Sequence, residues 1–193
     1  WVKKIVGAAP PTVAGVASAV GGQVSCALTS DSQKQDAGLY WGDQKGLDAT
    51  KGLIFEARVR LSVLPSAAGV QAVAGLSSDW IDGPDNNTCY MQIQANGSGL
   101  LYYRAYDGVT TTSVSTGVTV TASDWFTLRI DASDVTNVLF FINGAQVSAS
   151  NTVSFAATGT LAVLQPYLGL YKASGAGVGT MLVDYVRAWQ NRS

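Results

Sequence analysis

The chain has 193 residues, of which 47% are hydrophobic and 13% charged, and its twelve basic and thirteen acidic side chains leave a net charge of −1. One domain suits this length, and the charge balance excludes a nucleic-acid groove or a polybasic membrane patch. Histidine is absent, which removes the usual ligand of zinc and non-haem iron centres and the general base of Ser-His-Asp and Cys-His catalysis.

Residues 1–23 are rich in Ala, Gly, Val and Pro and poor in aromatics, a composition that predicts an extended N-terminal arm. Pro10 and Pro11 interrupt its apolar stretch, so it does not read as a signal sequence. The folded domain is expected over residues 24–193. Within it, LIFEARVRL places Leu53, Phe55, Ala57, Val59 and Leu61 on one face and Ile54, Glu56, Arg58 and Arg60 on the other. That period of two marks a half-buried strand.

The alternation returns in CYMQIQA, LLYYRAY, WFTLRID and VLFFING, each bounded by Gly, Asn, Asp or Ser clusters that read as turns. VLFFING is apolar on both faces, as expected of a strand that is central or also covered from outside. PYLGLY and TMLVDYVRAW close the chain around KASGAGVG. LAVLQPYLGLY, the most membrane-like run, is broken by Gln165 and Pro166 and is too short to span a bilayer. Short strands with turn signals between them, and no long amphipathic stretch, predict an all-β sandwich.

Charge is unevenly placed: Leu61–Ser78 and Val135–Tyr171 carry none. A neutral polar surface costs less to desolvate than a charged one, so these segments read as candidate interfaces, with a plain neutral surface as the alternative. Cys26 and Cys89 form no local metal or redox motif. Two free, partly buried thiols are the simpler reading, and one disulfide is the other.

Glycosidases need two carboxyl groups across the scissile bond, yet Glu56 is the sole glutamate. A surface ion pair with Arg58 or Arg60 is its expected role. The densest polar cluster, SSDWIDGPDNNT, offers Asp79, Asp82, Asp85 and Asn87 as hard oxygen ligands for calcium. Their spacing does not match an EF-hand loop, and a turn-rich loop without metal or other cofactor is the favoured reading. The aromatic residues that could stack on a sugar ring are Trp41, Trp80, Tyr102 and Tyr106, with Tyr102, Arg104 and Tyr106 on one side of their strand. The rival reading packs these rings onto the core or around the Arg stem. No glycine-rich phosphate loop is present.

IFEARVRL, WFTLRID, VLFFING and MLVDYVRAW together resemble the concanavalin A-like lectin/glucanase superfamily, including laminin G-like domains and family 16 glycoside hydrolases. The resemblance implies a jelly roll of two curved antiparallel sheets. The Glu-x-Asp-x-x-Glu strand of the family 16 enzymes has no match here. GLYWGDQKGLDATKGLIFEARVRL and GLSSDWIDGPDNNT are similar to lectin-like structural proteins of tailed bacteriophages. This implies a non-catalytic virion protein on the particle surface, decorating the capsid or forming part of a fibre or tail. Its partners would be major capsid or tail proteins and further copies of itself, with the arm ordered by neighbouring subunits. The alternative is a carbohydrate-binding module for host glycans, using Trp41, Trp80, Tyr102 and Tyr106.

Overall fold

A computed structural model describes residues 1–191; the last two residues of the expected 24–193 domain lie outside the described range. The strands are β1 (Val2–Val6), β2 (Thr12–Gly15), β3 (Val24–Ala27), β4 (Gln35–Tyr40), β5 (Leu47–Asp48), β6 (Leu53–Val63), β7 (Val70–Ser77) and β8 (Tyr90–Asn96). They continue with β9 (Leu100–Tyr106), β10 (Thr111–Thr119), β11 (Phe126–Ala132), β12 (Leu139–Ile142), β13 (Ala145–Gln146), β14 (Val163–Lys172) and β15 (Thr180–Trp189).

One sheet runs β1-β4-β14-β7-β8-β9-β10, with β5 also paired to β14, and the other runs β13-β12-β11-β6-β15-β3-β2. We call them sheet A and sheet B. Every pairing is antiparallel, giving the jelly-roll sandwich of a concanavalin A-like fold. The helices among the described residues are the short 3-10 turns Ala49–Lys51 and Gly159–Leu161, and none is long and apolar enough to cross a membrane.

Period-two patterning sets the core. Leu53, Phe55, Ala57, Val59 and Leu61 of β6 point inward, while the intervening residues are half-buried. Leu101, Tyr103 and Ala105 do the same from β9. Tyr103 stacks on Phe140 with ring centroids 5.1 Å apart, so a sheet A strand and a sheet B strand meet through aromatic faces. The outer apolar residue Phe141 of β12 lies under the Arg129 guanidinium, 5.5 Å from its ring centre. Cys26 and Cys89 are free and buried. Burial pushes their thiols up to about 12 and about 11 respectively, so neither provides a thiolate nucleophile near neutral pH.

Residues 1–23, expected as an arm, supply β1 and β2. β1 pairs with β4 from Val2↔Tyr40 to Val6↔Asp36, and β2 pairs with β3 from Thr12↔Ala27 to Gly15↔Val24. Val13 reaches the core. The backbone partners of both strands therefore come from within the chain.

Sheet A is also covered on its outer face. Tyr167 on β14 lies flat against Gly38 of β4, where an added Cβ would come within 2.8 Å of the hydroxyl oxygen and two ring carbons. This close approach requires glycine. On the other side of β14, Tyr167 faces Gly75 of β7. The flat ring forms a floor on which Trp80 stacks, with centroids 3.3 Å apart and planes 7° from parallel.

Asp36 fixes the pair. It accepts a 2.6 Å bond from the Tyr167 hydroxyl and a second from the Trp80 indole N–H. Asp43 accepts from the Trp80 amide at 3.1 Å, and Lys4 of β1 donates to the Trp80 carbonyl at 2.9 Å. The loop of residues 78–89 is thereby fastened across sheet A. Trp80 and Asp36 are each only 3% exposed.

Burial raises the Asp36 carboxyl to about 6, against the opposing effects of its bonds from Tyr167 and Trp80 and of nearby Lys4. The folded state then binds this proton more tightly than the unfolded chain, so the Asp36 contribution to stability falls as pH rises from about 4 to 6. Thermal melts should show the protein gaining stability from pH 7.5 to pH 5, by about 1.4 kcal/mol at most from this group. Asp36→Asn should flatten that rise; an unchanged slope would contradict the assignment. Gly38→Ala should cost about 2 kcal/mol by forcing Tyr167 off its floor, measured by denaturant melts. Gly15→Ala, where nothing lies within 4 Å of the added Cβ, serves as the mild control.

Candidate functional site: the outer face of sheet A

Alternation in β7, β8 and β9 places Gln71, Gly75 and Ser77, then Tyr90, Gln92, Gln94 and Asn96, then Tyr102, Arg104 and Tyr106 on the outer face. Register aligns them in rows: Ser77, Tyr90 and Tyr106 in one, Gly75, Gln92 and Arg104 in the next. Gln94 stands opposite Tyr102 in the row beyond. Gly75 brings no side chain to the row of Gln92 and Arg104, and an added Cβ there would meet the backbone of Met91 and Gln92.

Arg104 is the charged centre. Its Nη1 donates to Gln94 Oε1 at 2.6 Å and to the Asp85 carboxylate. Its guanidinium lies over Tyr90, 5.5 Å from the ring centre, and Tyr90 and Tyr106 tilt toward each other at 5.7 Å. Gln71 Nε2 donates to Asp85 Oδ2 at 3.0 Å, and Gln94 Nε2 donates to Asn96 Oδ1 at 2.8 Å. Burial pushes the Tyr90 hydroxyl up from its ordinary range, against the nearby Arg104 charge. It therefore holds its proton at neutral pH.

Several buried polar atoms on this face and in the covering loop have no partner among the described residues: Arg104 Nε, Gln92 Nε2, Asn87 Nδ2 and Ser77 Oγ. The three nitrogens are obligate donors, and a buried donor left unpaired is costly. Gln92 and Arg104 are cross-strand neighbours. The group is suited to a ligand rich in acceptor oxygens, and its guanidinium to a carboxylate.

The expected site residues separate into three places. Tyr102 and Tyr106 are half-buried on the outer face, flanking Arg104 along β9. Trp80 belongs to the covering loop and is buried on Tyr167. Trp41 follows β4, four strands from β9 in sheet A. It meets Trp1 edge-on at 6.3 Å and lines a groove with Trp1, Pro166, Arg187 and Trp189.

The calcium candidates are each engaged separately. Asp79 accepts from Ser78 and Thr88, Asp82 pairs with Lys34 at 3.3 Å, Asp85 pairs with Arg104, and Asn87 Oδ1 accepts from the Ile81 amide. Among the described residues no group of three or more His, Cys, Asp or Glu is placed to hold a metal ion. Glu56 binds Tyr185 and Arg187, rather than Arg58 or Arg60.

Gln92 and Gln94 were not singled out by the sequence. The Gln-x-Gln alternation at Gln92 and Gln94 was the available signal, since two amides on one strand face are exposed to solvent unless something covers them. Asn87 drew notice only as a metal ligand.

The solved structures similar to this chain include an endo-β-1,4-glucuronan lyase from the fungus Trichoderma reesei, at 16% identity and a TM-score of 0.65, covering 98% of this chain and 90% of that one. Alginate lyase A1-II′ of polysaccharide lyase family 7 matches at 14% identity and a TM-score of 0.62, covering 91% and 83%. The cellulose-induced protein Cip1 matches at 13% and 0.61, covering 99% and 92%. At these identities the likeness is one of fold. No curated protein matches the chain.

These findings correct the virion expectation: the fold is that of carbohydrate-active lyases rather than of phage lectin-like proteins. The capsid and tail partners, the virion-surface location and the non-catalytic assignment fall with it. The physical reason is visible in the charge-poor segments. β7 and β14 up to Tyr171 lie within them, and both strands are buried on two faces, by the core and by the covering loop. Their lack of charge answers to burial inside the chain. The SO2946-like C-terminal domain model matches residues 21–184, and the chain belongs to that family.

Proposed function

We propose that the chain is a carbohydrate-acting module that engages an acidic polysaccharide across the outer face of sheet A. The observation that carries this reading is the donor group around Arg104. The Arg104 guanidinium and the Gln92 amide offer N–H groups without partners among the described residues, beside the tyrosines of β8 and β9. A uronate residue presents the complementary features: a carboxylate for the guanidinium, a hydroxyl oxygen for the amide and a C–H face for a tyrosine ring. Tyr102 and Tyr106 flank Arg104 along β9 and contact the sugar units on either side. Glucuronan and alginate, named for two of the similar lyases, are polymers of this chemical class.

The same groups suit the chemistry of uronate β-elimination. Neutralising the carboxylate with Arg104 acidifies the adjacent C–H, whose proton passes to water as the C–O bond breaks, and a tyrosine hydroxyl that holds its proton can protonate the departing glycosidic oxygen and regain a proton from solvent. Neither role requires histidine or the paired carboxylates of glycoside hydrolysis.

Calorimetric titration with glucuronan and alginate oligosaccharides tests the proposal. Arg104→Gln should weaken binding at least thirtyfold, or about 2 kcal/mol, and added salt should weaken the wild-type interaction. Neutral cello-oligosaccharides should bind poorly to both forms. Equal affinity in wild type and Arg104→Gln, or a preference for the neutral oligomers, would overturn it. Release of ultraviolet-absorbing unsaturated uronate from the polymer would mark cleavage in addition to binding.

A further inference from the structure

The Arg104 site already holds a carboxylate, and that carboxylate belongs to the chain. Asp85 reaches Arg104 from the loop of residues 78–89 and also accepts from Gln71 Nε2 at 3.0 Å. Its side chain is 47% exposed, whereas that of Arg104 is 15% exposed. The aspartate therefore approaches from the solvent side, along the path open to a ligand. Guanidinium–carboxylate pairing is the same chemistry for an aspartate and a uronate, so the two cannot both use the Nη1 hydrogen bond.

The loop is attached unevenly. Its first part is fixed by Trp80 on Tyr167 and Asp36, and Gly83 packs against the Tyr171 ring, where an added Cβ would lie 2.7 Å from Cε1. Beyond Gly83, Pro84 and Asp85 extend over β7 toward β9. The Asp85 carboxylate itself is held only by Arg104 and Gln71 among the described residues. An ion pair at this exposure contributes little to stability, so it can open without unfolding the loop's anchored half.

We infer that Asp85 sets the affinity threshold of this site: it occupies the carboxylate position on Arg104 and lowers the apparent affinity of every carboxylate ligand by one factor, so that only ligands with enough neighbouring contacts displace it. This rests on the reading of Arg104 as a carboxylate site. A tethered competitor acts at an effective concentration on the order of millimolar. A single uronate offers only its carboxylate and one ring, and it competes poorly. An oligomer adds contacts at Tyr102 and Tyr106 and displaces the aspartate. The fraction of molecules with Arg104 free sets how far the apparent affinity falls below the intrinsic one.

The test is calorimetric titration of the whole chain with glucuronate and with a glucuronate hexamer. Asp85→Ala should bind both about tenfold more tightly, and by the same factor for each. Asp82→Asn removes the same charge from the same loop, at a residue paired with Lys34, and should stay within about twofold of wild type. Wild-type binding of the hexamer with no gain in Asp85→Ala overturns the inference alone. An equal gain in Asp82→Asn also overturns it, because general electrostatics would then explain the effect. Absence of hexamer binding in every form overturns the carbohydrate reading and the inference with it.

Discussion

A buried carboxylate with two donors fixes the character of sheet A. Asp36 sits on an inner strand of the sheet and would lose far more than it gains by burial were it alone. Tyr167 and Trp80 supply the hydrogen bonds that make its position tolerable. Each ring is placed by the same arrangement, one flat on Gly38 and the other stacked above it. The loop that carries Trp80 is thus drawn across β14 and β7, and its far end delivers Asp85 to Arg104. Removing the constraint would leave an ordinary open sheet face.

The loop gives the outer face two regions with different duties. Over β4 and β14 it closes a small apolar cluster of Val73, Trp80 and Tyr167, which is structural. Over β8 and β9 it leaves a polar group whose amides and guanidinium are short of acceptors. Carbohydrate recognition needs this second kind of surface, with flat rings beside directional donors on a rigid support. Here the support is a continuous antiparallel sheet, so the spacing of the donors is set by strand register rather than by loop geometry. Histidine is unnecessary to such a site, since tyrosine, arginine and amide groups supply its hydrogen bonds and its proton.

Much of the sandwich was legible because alternation reports which side of a strand faces the core. LIFEARVRL and LLYYRAY show this directly, their buried and half-buried residues falling where period two assigns them. CYMQIQA was legible as a strand but not as a doubly covered one: Tyr90, Gln92 and Gln94 are as buried as Met91 and Ile93. Periodicity states which face is out and is silent about what lies on it. The cover depends on contacts such as Trp80 with Asp36 and Tyr167 with Asp36, which join residues 44 and 131 positions apart. For the same reason Trp80 was read as a sugar-stacking candidate, and the charge-poor segments as an interface. Tyr102, Arg104 and Tyr106 were found together because they are close in sequence; Asp85 and Gln92 join them only through the fold.

A structure of the chain in complex with a glucuronate oligosaccharide would test the central claim most directly. The sugar chain should lie along the outer face of sheet A, one carboxylate seated on Arg104 with the Gln92 amide turned to a sugar oxygen, and Asp85 moved away from the guanidinium. A ligand bound elsewhere on the sandwich, with the Arg104–Asp85 pair intact, would contradict it.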